Sequence, residues 1–374
     1  MKIARAELTR VRFYLRTPIA TARGRIGTRE GTLLALTSES GLLGHGEALP
    51  LAGFGAESPD RTSETLSGLA RALLGRELED LDALLDLVEA LAPEAPAARA
   101  AVDVALFDLA ARAQGIGVAA WLALPEQPRA RIEVSALVFG EQPEMAAREA
   151  SAAVGEGYRT VKIKVGAHAL ELDEARVAAV RDAVGSETEI RLDANGGWKE
   201  REAEEAIACL APYRIELLEQ PVEARDLAGL ARLSAGSAIP IAADEALAGG
   251  HAIDEIFARD AARVLVLKPA ALGGLRASQR IAARARAAGW GVVVTSALDS
   301  AVGLAAALQL AAALPGPHLA AGLATGALLD QDLAKAPLPI HGALSVPDGP
   351  GIGVVPLRDC LARCALGSPE EISA

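Results

Sequence analysis

The stretch Arg159–Gly166, RTVKIKVG, decides how the rest of the chain is organised. Its β-branched residues predict a strand, and side-chain alternation places Lys162 and Lys164 on one face of it and apolar residues on the other. Only six of the 37 basic residues in the 374-residue chain are lysine, so two in one strand are conspicuous. A buried lysine can lose its proton and act as a base, whereas arginine stays charged. The stretch therefore predicts a strand with a chemically active face.

Eight strand candidates of this kind follow one another and are separated by segments of helical period. Strands that alternate with helices indicate right-handed crossovers and a parallel sheet. Eight of them fit a (β/α)₈-type barrel better than an open sheet, and either form places its active site at the carboxyl ends of the strands. The candidates are RIEVSALV (131–138), RTVKIKV (159–165), EIRLDAN (189–195), RIELLEQ (214–220), IPIAADE (239–245), RVLVLKP (263–269), WGVVVTS (290–296) and PHLAAGL (317–323).

Three segments of different character make up the chain. Residues 1–125 show alternating runs followed by helical patterns, which predicts an α+β unit that begins with an antiparallel meander. Residues 126–335 carry the strand–helix repeat of the barrel. Residues 336–374 are rich in proline and glycine, and we expect them to pack back on the N-terminal unit.

Composition excludes several classes of protein. The chain is 51% hydrophobic and 23% charged, so it can form a large core. A net charge of −12 argues against nucleic acid as the main partner. The longest apolar stretch, residues 303–314, is too short to span a membrane, and the charged N-terminus has no apolar signal core. Three cysteines without a CxxC pair favour a cytoplasmic protein with reduced thiols. A homo-oligomer is left open.

Polar residues end the strand candidates at intervals of 24 to 29 residues. Groups at the ends of successive strands converge on the mouth of a barrel. Three carboxylates on adjacent strands would repel one another there unless a cation lay between them. Because every nearby ligand is oxygen, a hard ion is indicated, with Mg²⁺ the best fit and Mn²⁺ the alternative. The strand-end residues are Lys164, Asp193, Glu219, Asp244, Lys268, Ser296 and Gly322.

A metal ion opposite a lysine base suits the removal of a proton next to a carboxylate. Free in water the carbanion is too high in energy, but as an enediolate its charge can be stabilised by the metal. The pattern therefore predicts a small-molecule carboxylate as substrate.

Five motifs resemble the enolase superfamily, specifically its muconate-lactonizing subgroup: KIK (162–164), LDANGGW (192–198), LEQPV (218–222), AADEA (242–246) and LKPAALGG (267–274). The resemblance covers essentially the whole chain. It implies an α+β capping domain ahead of a (β/α)₇β barrel, and the lysine-plus-Mg²⁺ arrangement is that superfamily's known pattern.

The resemblance also assigns roles to residues. It makes Asp193, Glu219 and Asp244 the metal ligands, and it alone favours Asp244 over the adjacent glutamate. It makes Lys164 the base. Lys162 would tune that base, and Lys268 would stand on the opposite face of the site.

Within the subgroup, four looser stretches resemble the o-succinylbenzoate synthases: RGRIGTREG (23–31), GEALPLAGFGAES (46–58), TSALDSAVG (295–303) and AGLATGALLDQDL (321–333). No histidine follows the seventh strand, and the eighth strand does not end in the DxD of dipeptide epimerases. The DQD at 330–332 lies eight residues beyond Gly322, which favours a loop feature.

The implied reaction is a metal-assisted syn-elimination of water through an enediolate. Lys164 would act first as base and then as acid, and Lys268 would lie as a cation against the ring of the substrate. The alternatives are an N-succinylamino acid racemase or a muconate cycloisomerase of the same subgroup. A barrel that binds without catalysis is more remote.

Other candidate contacts are weaker. Arg191 faces inward and would contact a carboxylate or form an ion pair in the barrel core. Asn195 would orient a ligand or form a turn. Ser296 and Gly322 would line the substrate site. The cap loops 21–25 and 51–54 would close the mouth, with Phe54 as the apolar contact.

Overall fold

The computed structural model describes residues 1–21, 24–51, 54, 57–248 and 252–373, and for residues 20 and 21 it describes the backbone alone. Residues 22, 23, 52 and 53, which belong to the two cap loops predicted to close the mouth, lie outside this part of the chain.

The N-terminal unit is built on an antiparallel sheet in the order β13-β1-β2-β3. Its meander consists of β1 (Ile3–Thr21), β2 (Gly24–Ser38) and β3 (Leu43–Ala48). The fourth strand, β13 (Glu370–Ser373), pairs with β1 and brings the C-terminal end of the chain onto this sheet. Three helices follow the meander: α1 (Pro59–Leu73), α2 (Leu81–Leu91) and α3 (Pro96–Gln114).

Helix α3 packs closely against β3 because glycine leaves room for it. A Cβ atom at Gly46 would lie 1.9 Å from the carbonyl oxygen of Ala101, so any side chain there would clash with the helix backbone. This contact holds β3 in place, and Glu47 with it.

The second unit is a curled sheet of seven parallel strands in the order β11-β10-β9-β8-β7-β6-β5. Its strands are β5 (Ala136–Val138), β6 (Thr160–Lys164), β7 (Glu189–Asp193), β8 (Ile215–Glu219), β9 (Ile241–Ala243), β10 (Val264–Leu267) and β11 (Gly291–Val294). A separate ladder pairs β4 (Arg131–Glu133) with β12 (Ala343–Ser345).

The remaining helices are α4 (Val118–Ala123), α5 (Pro143–Gly155), α6 (Leu170–Val184), α7 (Glu200–Leu210), α8 (Leu227–Gly236), α9 (Ala252–Ala258), α10 (Pro269–Leu272), α11 (Leu275–Ala287), α12 (Ala301–Ala313) and α13 (Arg358–Cys364). Helices α5 to α12 follow strands of the parallel sheet, whereas α4 precedes the sheet and α13 contacts β1. The predicted fold class, a (β/α)₇β-type barrel with a separate α+β cap, is confirmed. The exact domain bounds stay a prediction.

Two of the eight strand candidates differ from the prediction. Segment 131–138 divides into β4, which is antiparallel to β12, and β5, which joins the barrel. Segment 317–323 forms only isolated bridges, from Ala321 to Val134 and from Gly322 to Thr295. Pro317 has no N–H to donate to a ladder, so a longer strand is disfavoured there. The two bridges still join β11 to the segment between β4 and β5.

The longest apolar stretch of the sequence forms α12. Nearly all of its residues are buried, because the helix packs between the capping unit and the barrel. Within the described residues, no helix is both long and apolar enough to cross a membrane.

Candidate active site

A cavity of about 280 Å³ opens at the carboxyl ends of the barrel strands. Capping residues, among them Ile19, Arg25 and Leu51, line its outer side. Nine of the eleven site residues predicted from the sequence line it: Phe54, Lys162, Lys164, Asp193, Asn195, Glu219, Lys268, Ser296 and Gly322.

Lys162 and Lys164 face the cavity from β6 because they share one face of that strand. The parallel register places Lys164 beside Asp193 and Asp193 beside Glu219. The Nζ of Lys162 donates to both carboxylate oxygens of Glu219 at 2.8 Å and pairs with Asp193 Oδ2 at 2.8 Å. The Nζ of Lys164 donates to Asp193 Oδ2 and Asn195 Oδ1, each at 2.6 Å.

Lys268 reaches the cavity from the other side, directly after β10. Its Nζ donates to Asp244 Oδ2 at 2.5 Å and lies 3.9 Å from the centroid of the Phe54 ring. The cation–π contact predicted for the substrate ring is thus made here by an aromatic ring of the protein itself.

The carboxylates and ammonium groups shift one another's pKa. Burial alone would raise the pKa of Asp193, but the adjacent Lys162 and Lys164 hold it below its ordinary value. Burial and the charge of Asp193 raise the pKa of Glu219. Burial raises the pKa of Asp244 well above its ordinary value, despite the nearby Lys268. Burial lowers the pKa of Lys268, but Asp244, Glu245 and Glu219 together outweigh it, so the pKa is raised.

The donor chemistry of these strand ends fits a hard divalent cation. Asp193, Glu219 and Asp244 are each at most 3% exposed and end three neighbouring strands. Asp244 Oδ1 is buried and has no hydrogen-bond partner among the described residues, so it is an acceptor available to a ligand. In the described ranges no three acidic, imidazole or thiol side chains form an assembled metal cluster. The lysine ammonium groups lie against these carboxylates instead and balance their charge.

Two predicted residues do not line the cavity. Asp244 is buried next to the cavity, and its Oδ2 accepts a hydrogen bond from the Nζ of Lys268, which does line the cavity. Arg191 requires a correction: its Nε donates to Glu216 Oε2 at 2.5 Å and its Nη1 to the carbonyl of Ala320 at 2.6 Å. Of the two interpretations, the structure therefore shows the barrel-core ion pair, which forms because both side chains point into the barrel interior.

Of the two interpretations of Asn195, the structure shows the turn, and the contact with a ligand stays a prediction. Its φ of 44° is the left-handed conformation of a turn residue. Its side chain also accepts from Lys164 and donates through Nδ2 to Glu245 Oε1 at 3.1 Å. Asn195 thus connects Lys164 to the strand end on which Asp244 lies.

Sequence reasoning missed several lining residues. In the ADE motif the resemblance favours Asp244, yet it is the adjacent Glu245 that lines the cavity. Thr325 bonds Ser296 through their hydroxyls at 2.7 Å. Ser135 and Phe139 also belong to the lining, and no motif marked them.

The DQD segment is a loop feature, as expected. Asp332 accepts from the backbone N–H of Ala301 at 2.8 Å and so caps the start of α12. Asp330 pairs with Arg16 of β1 at 3.5 Å. Neither acid lines the cavity.

A buried carboxyl of the cap also holds the start of α12. Glu47 Oε1 accepts from the backbone N–H of Ser300 at 2.9 Å, and Oε2 contacts the Ser300 hydroxyl. Burial and the neighbouring Asp299 raise the pKa of Glu47 to about 8. Arg29 lies near both acids and donates to the carbonyls of residues 49 and 50. This cluster joins the cap to the barrel behind the cavity.

We expect the Glu47 carboxyl to make folding stability depend on pH. Its pKa in the folded protein lies above its ordinary value of 4.5, so the folded state binds more protons than the unfolded state between about pH 5 and 8. Stability therefore falls as pH rises through this range. In scanning calorimetry, Glu47→Gln should show a smaller fall in thermal midpoint than the wild type. Glu64→Gln, at an exposed position of α1, is the control, and an unchanged slope in Glu47→Gln would refute the assignment.

Two models of known protein families match the chain. The model described as "Enolase C-terminal domain-like" matches residues 145–360, and the N-terminal domain model of mandelate racemase and muconate lactonizing enzyme matches residues 4–122. The chain belongs to the enolase superfamily. Members of this superfamily are enzymes that bind Mg²⁺.

Superfamily members of different activity resemble the chain. An L-Ala-D/L-Glu epimerase of Bacillus subtilis is 32% identical over 95% of this chain and 97% of its own. An o-succinylbenzoate synthase of Thermobifida fusca is 42% identical over 61% of this chain and 70% of its own. The crystal structure of an N-succinyl Arg/Lys racemase from Bacillus cereus superposes with a TM-score of 0.93 at 25% identity, covering 100% of both chains.

Proposed function

We propose that the protein is an o-succinylbenzoate synthase. It would dehydrate 2-succinyl-6-hydroxy-2,4-cyclohexadiene-1-carboxylate to 2-succinylbenzoate in menaquinone biosynthesis. The observation that carries the chemistry is the placement of Lys164 and Lys268 on opposite sides of one cavity, with buried carboxylates between them. The choice of substrate rests on the four stretches that resemble o-succinylbenzoate synthases, two in the cap (23–31 and 46–58) and two after the last barrel strands (295–303 and 321–333). The 42% identity to a synthase supports this choice.

Lys164 is the residue that we assign to proton transfer. In its neutral form, Nζ takes the proton next to the substrate carboxylate, and the electron pair left behind forms the new ring double bond as the C–O bond breaks. The departing hydroxyl receives the same proton from Nζ and leaves as water, so the lysine returns to its starting state. Asn195 would position Nζ through its 2.6 Å hydrogen bond.

Asp193, Glu219 and Asp244 would hold Mg²⁺, with Mn²⁺ as a substitute. When bound, the cation supplies positive charge where negative charge develops on the substrate carboxylate. Lys162, which contacts both Asp193 and Glu219, would position these ligands. Lys268 would lie as a cation against the face of the substrate ring. Phe54, whose ring lies against the Nζ of Lys268 in the structure, would close the apolar side of the site. Ser296 and Gly322 would line the substrate pocket.

A racemase or epimerase is the second candidate. The same pair of lysines could deliver protons to opposite faces of one carbon, and the matches to an epimerase and a racemase cover nearly the entire chain. A muconate-type cycloisomerase would use the same machinery. A cytoplasmic location and a homo-oligomer stay predictions, as does the more remote non-catalytic binding protein.

The test is turnover of the hydroxycyclohexadiene carboxylate with Mg²⁺, followed by loss of its diene absorbance, with an EDTA control. We expect rapid loss that depends on the metal. A protein that leaves this substrate unchanged but exchanges the α-proton of N-succinylamino acids for deuterium is a racemase, and the synthase proposal then fails. Binding of either substrate without exchange or turnover would favour the binding protein.

A further inference from the structure

A second and larger cavity, of about 710 Å³, lies away from the mouth. It borders β11, from which Val292 and Val294 form part of its wall, and Ile132 of β4 adds to that wall. Helices α11 and α12 and the segment that follows α4 border it, and one side is open to solvent. None of the eleven predicted site residues lines this cavity, which we call the basal cavity.

Apolar side chains make up most of the wall of the basal cavity, and the larger ones include Leu122, Trp290, Leu314 and Leu319. The cavity opens to solvent past exposed residues such as Ala283 and Arg286, so a small molecule can enter it. The volume lies within the range of about 300–1,000 Å³ that is typical of small-molecule sites. The wall therefore suits a ligand with an apolar body.

The charges on the wall indicate the polar end of that ligand. Arg129 and Arg286 contribute two guanidinium groups, against the single carboxyl of Glu126. His318 also lines the cavity, but burial and Arg129 lower its pKa, which favours the neutral imidazole. The charged side chains on the wall therefore sum to one positive charge, although the whole chain has a net charge of −12. A monoanion balances it better than a phosphate, which would need more donors.

Arg129 offers a donor at the right depth. One of its terminal nitrogens is held by the carbonyl of Ala311, and its backbone N–H donates to the carbonyl of Ala312 at 3.0 Å. Its other terminal nitrogen, Nη1, makes no hydrogen bond in the part of the chain that the structure describes. A carboxylate is the acceptor that pairs best with a guanidinium.

We propose that the basal cavity is a second ligand site, which binds a small monocarboxylate with an apolar tail through Arg129. The site is independent of the reaction at the mouth. The ligand's tail lies against Trp290, which makes tryptophan fluorescence a local reporter of binding.

The test compares three probes with one tail: octanoate, octanol and octylammonium, titrated calorimetrically into the full chain. We expect octanoate to bind one per chain, at least about tenfold more tightly than the other two, because only it satisfies the Arg129 donor. It should also change the fluorescence of the wild type but not that of Trp290→Phe.

Two variants locate the site. Arg129→Met should weaken octanoate binding by at least about tenfold. Ala283→Trp, on the exposed side of α11 that lines the cavity, should block it by filling the space even if Arg129→Met folds poorly. Ala152→Trp, at an exposed position of α5, and Lys164→Met at the mouth are the matched controls and should bind as the wild type does. Equal affinity for the three probes, or octanoate binding that survives Ala283→Trp, would overturn the proposal.

Discussion

Replacing Lys164 with arginine is expected to lower kcat by about 10²–10⁴-fold, the range that a positioned general base contributes. Arginine keeps the positive charge that pairs with Asp193, so the fold should survive. Its guanidinium cannot release a proton near neutral pH and therefore cannot remove one from a substrate. The measurement is the rate of α-proton loss or dehydration at saturating substrate, since a missing base lowers kcat more than it changes KM.

Lys335→Arg is the matched control for this experiment, because Lys335 is exposed and lies far along the chain from the strand ends. Its activity should equal that of the wild type. Calorimetry on both variants would show that neither has lost its fold. If Lys164→Arg kept more than about a tenth of the activity, another group would have to be the base. Lys268 would then be the residue to replace next.

The sequence predicted the strand-end residues well because their placement follows from backbone regularity. Side chains alternate on a strand, and parallel strands end at one edge of a sheet. Lys164, Asp193 and Glu219 therefore had to come together once the strands were located. This required no knowledge of the loops, and the parallel register places the three side by side.

What the sequence did not predict depends on contacts between distant segments. The position of Phe54 over Lys268 joins residues more than two hundred positions apart, and no periodicity of the sequence indicates it. The contact of Glu47 with Ser300 joins residues 253 positions apart. Arg191 had two interpretations, contact with a carboxylate or an ion pair in the barrel core, and the sequence does not show that Glu216 lies within its reach.

Magnesium is expected to raise the thermal midpoint of the wild type, and Glu219→Gln should remove most of this effect. In the structure, the pKa of Glu219 is raised by burial and by Asp193, so a cation bound between the carboxylates would relieve an unfavourable charge arrangement. Binding to the folded state alone stabilises it by about 2.7 kcal/mol at a concentration 100 times Kd. Calorimetry with Mg²⁺ and with EDTA measures the shift without any reference to catalysis.

The variant Glu219→Gln is informative because it changes little besides charge. Its side-chain oxygen can still accept a hydrogen bond from the Nζ of Lys162, so the local packing is preserved. Without the negative charge, affinity for Mg²⁺ should fall by at least about tenfold. Glu189→Gln is the matched control, since Glu189 is exposed at the opposite end of the strand that carries Asp193. An equal shift in Glu219→Gln and the wild type would mean that the metal binds elsewhere, while the test of Lys164 as the base would still stand.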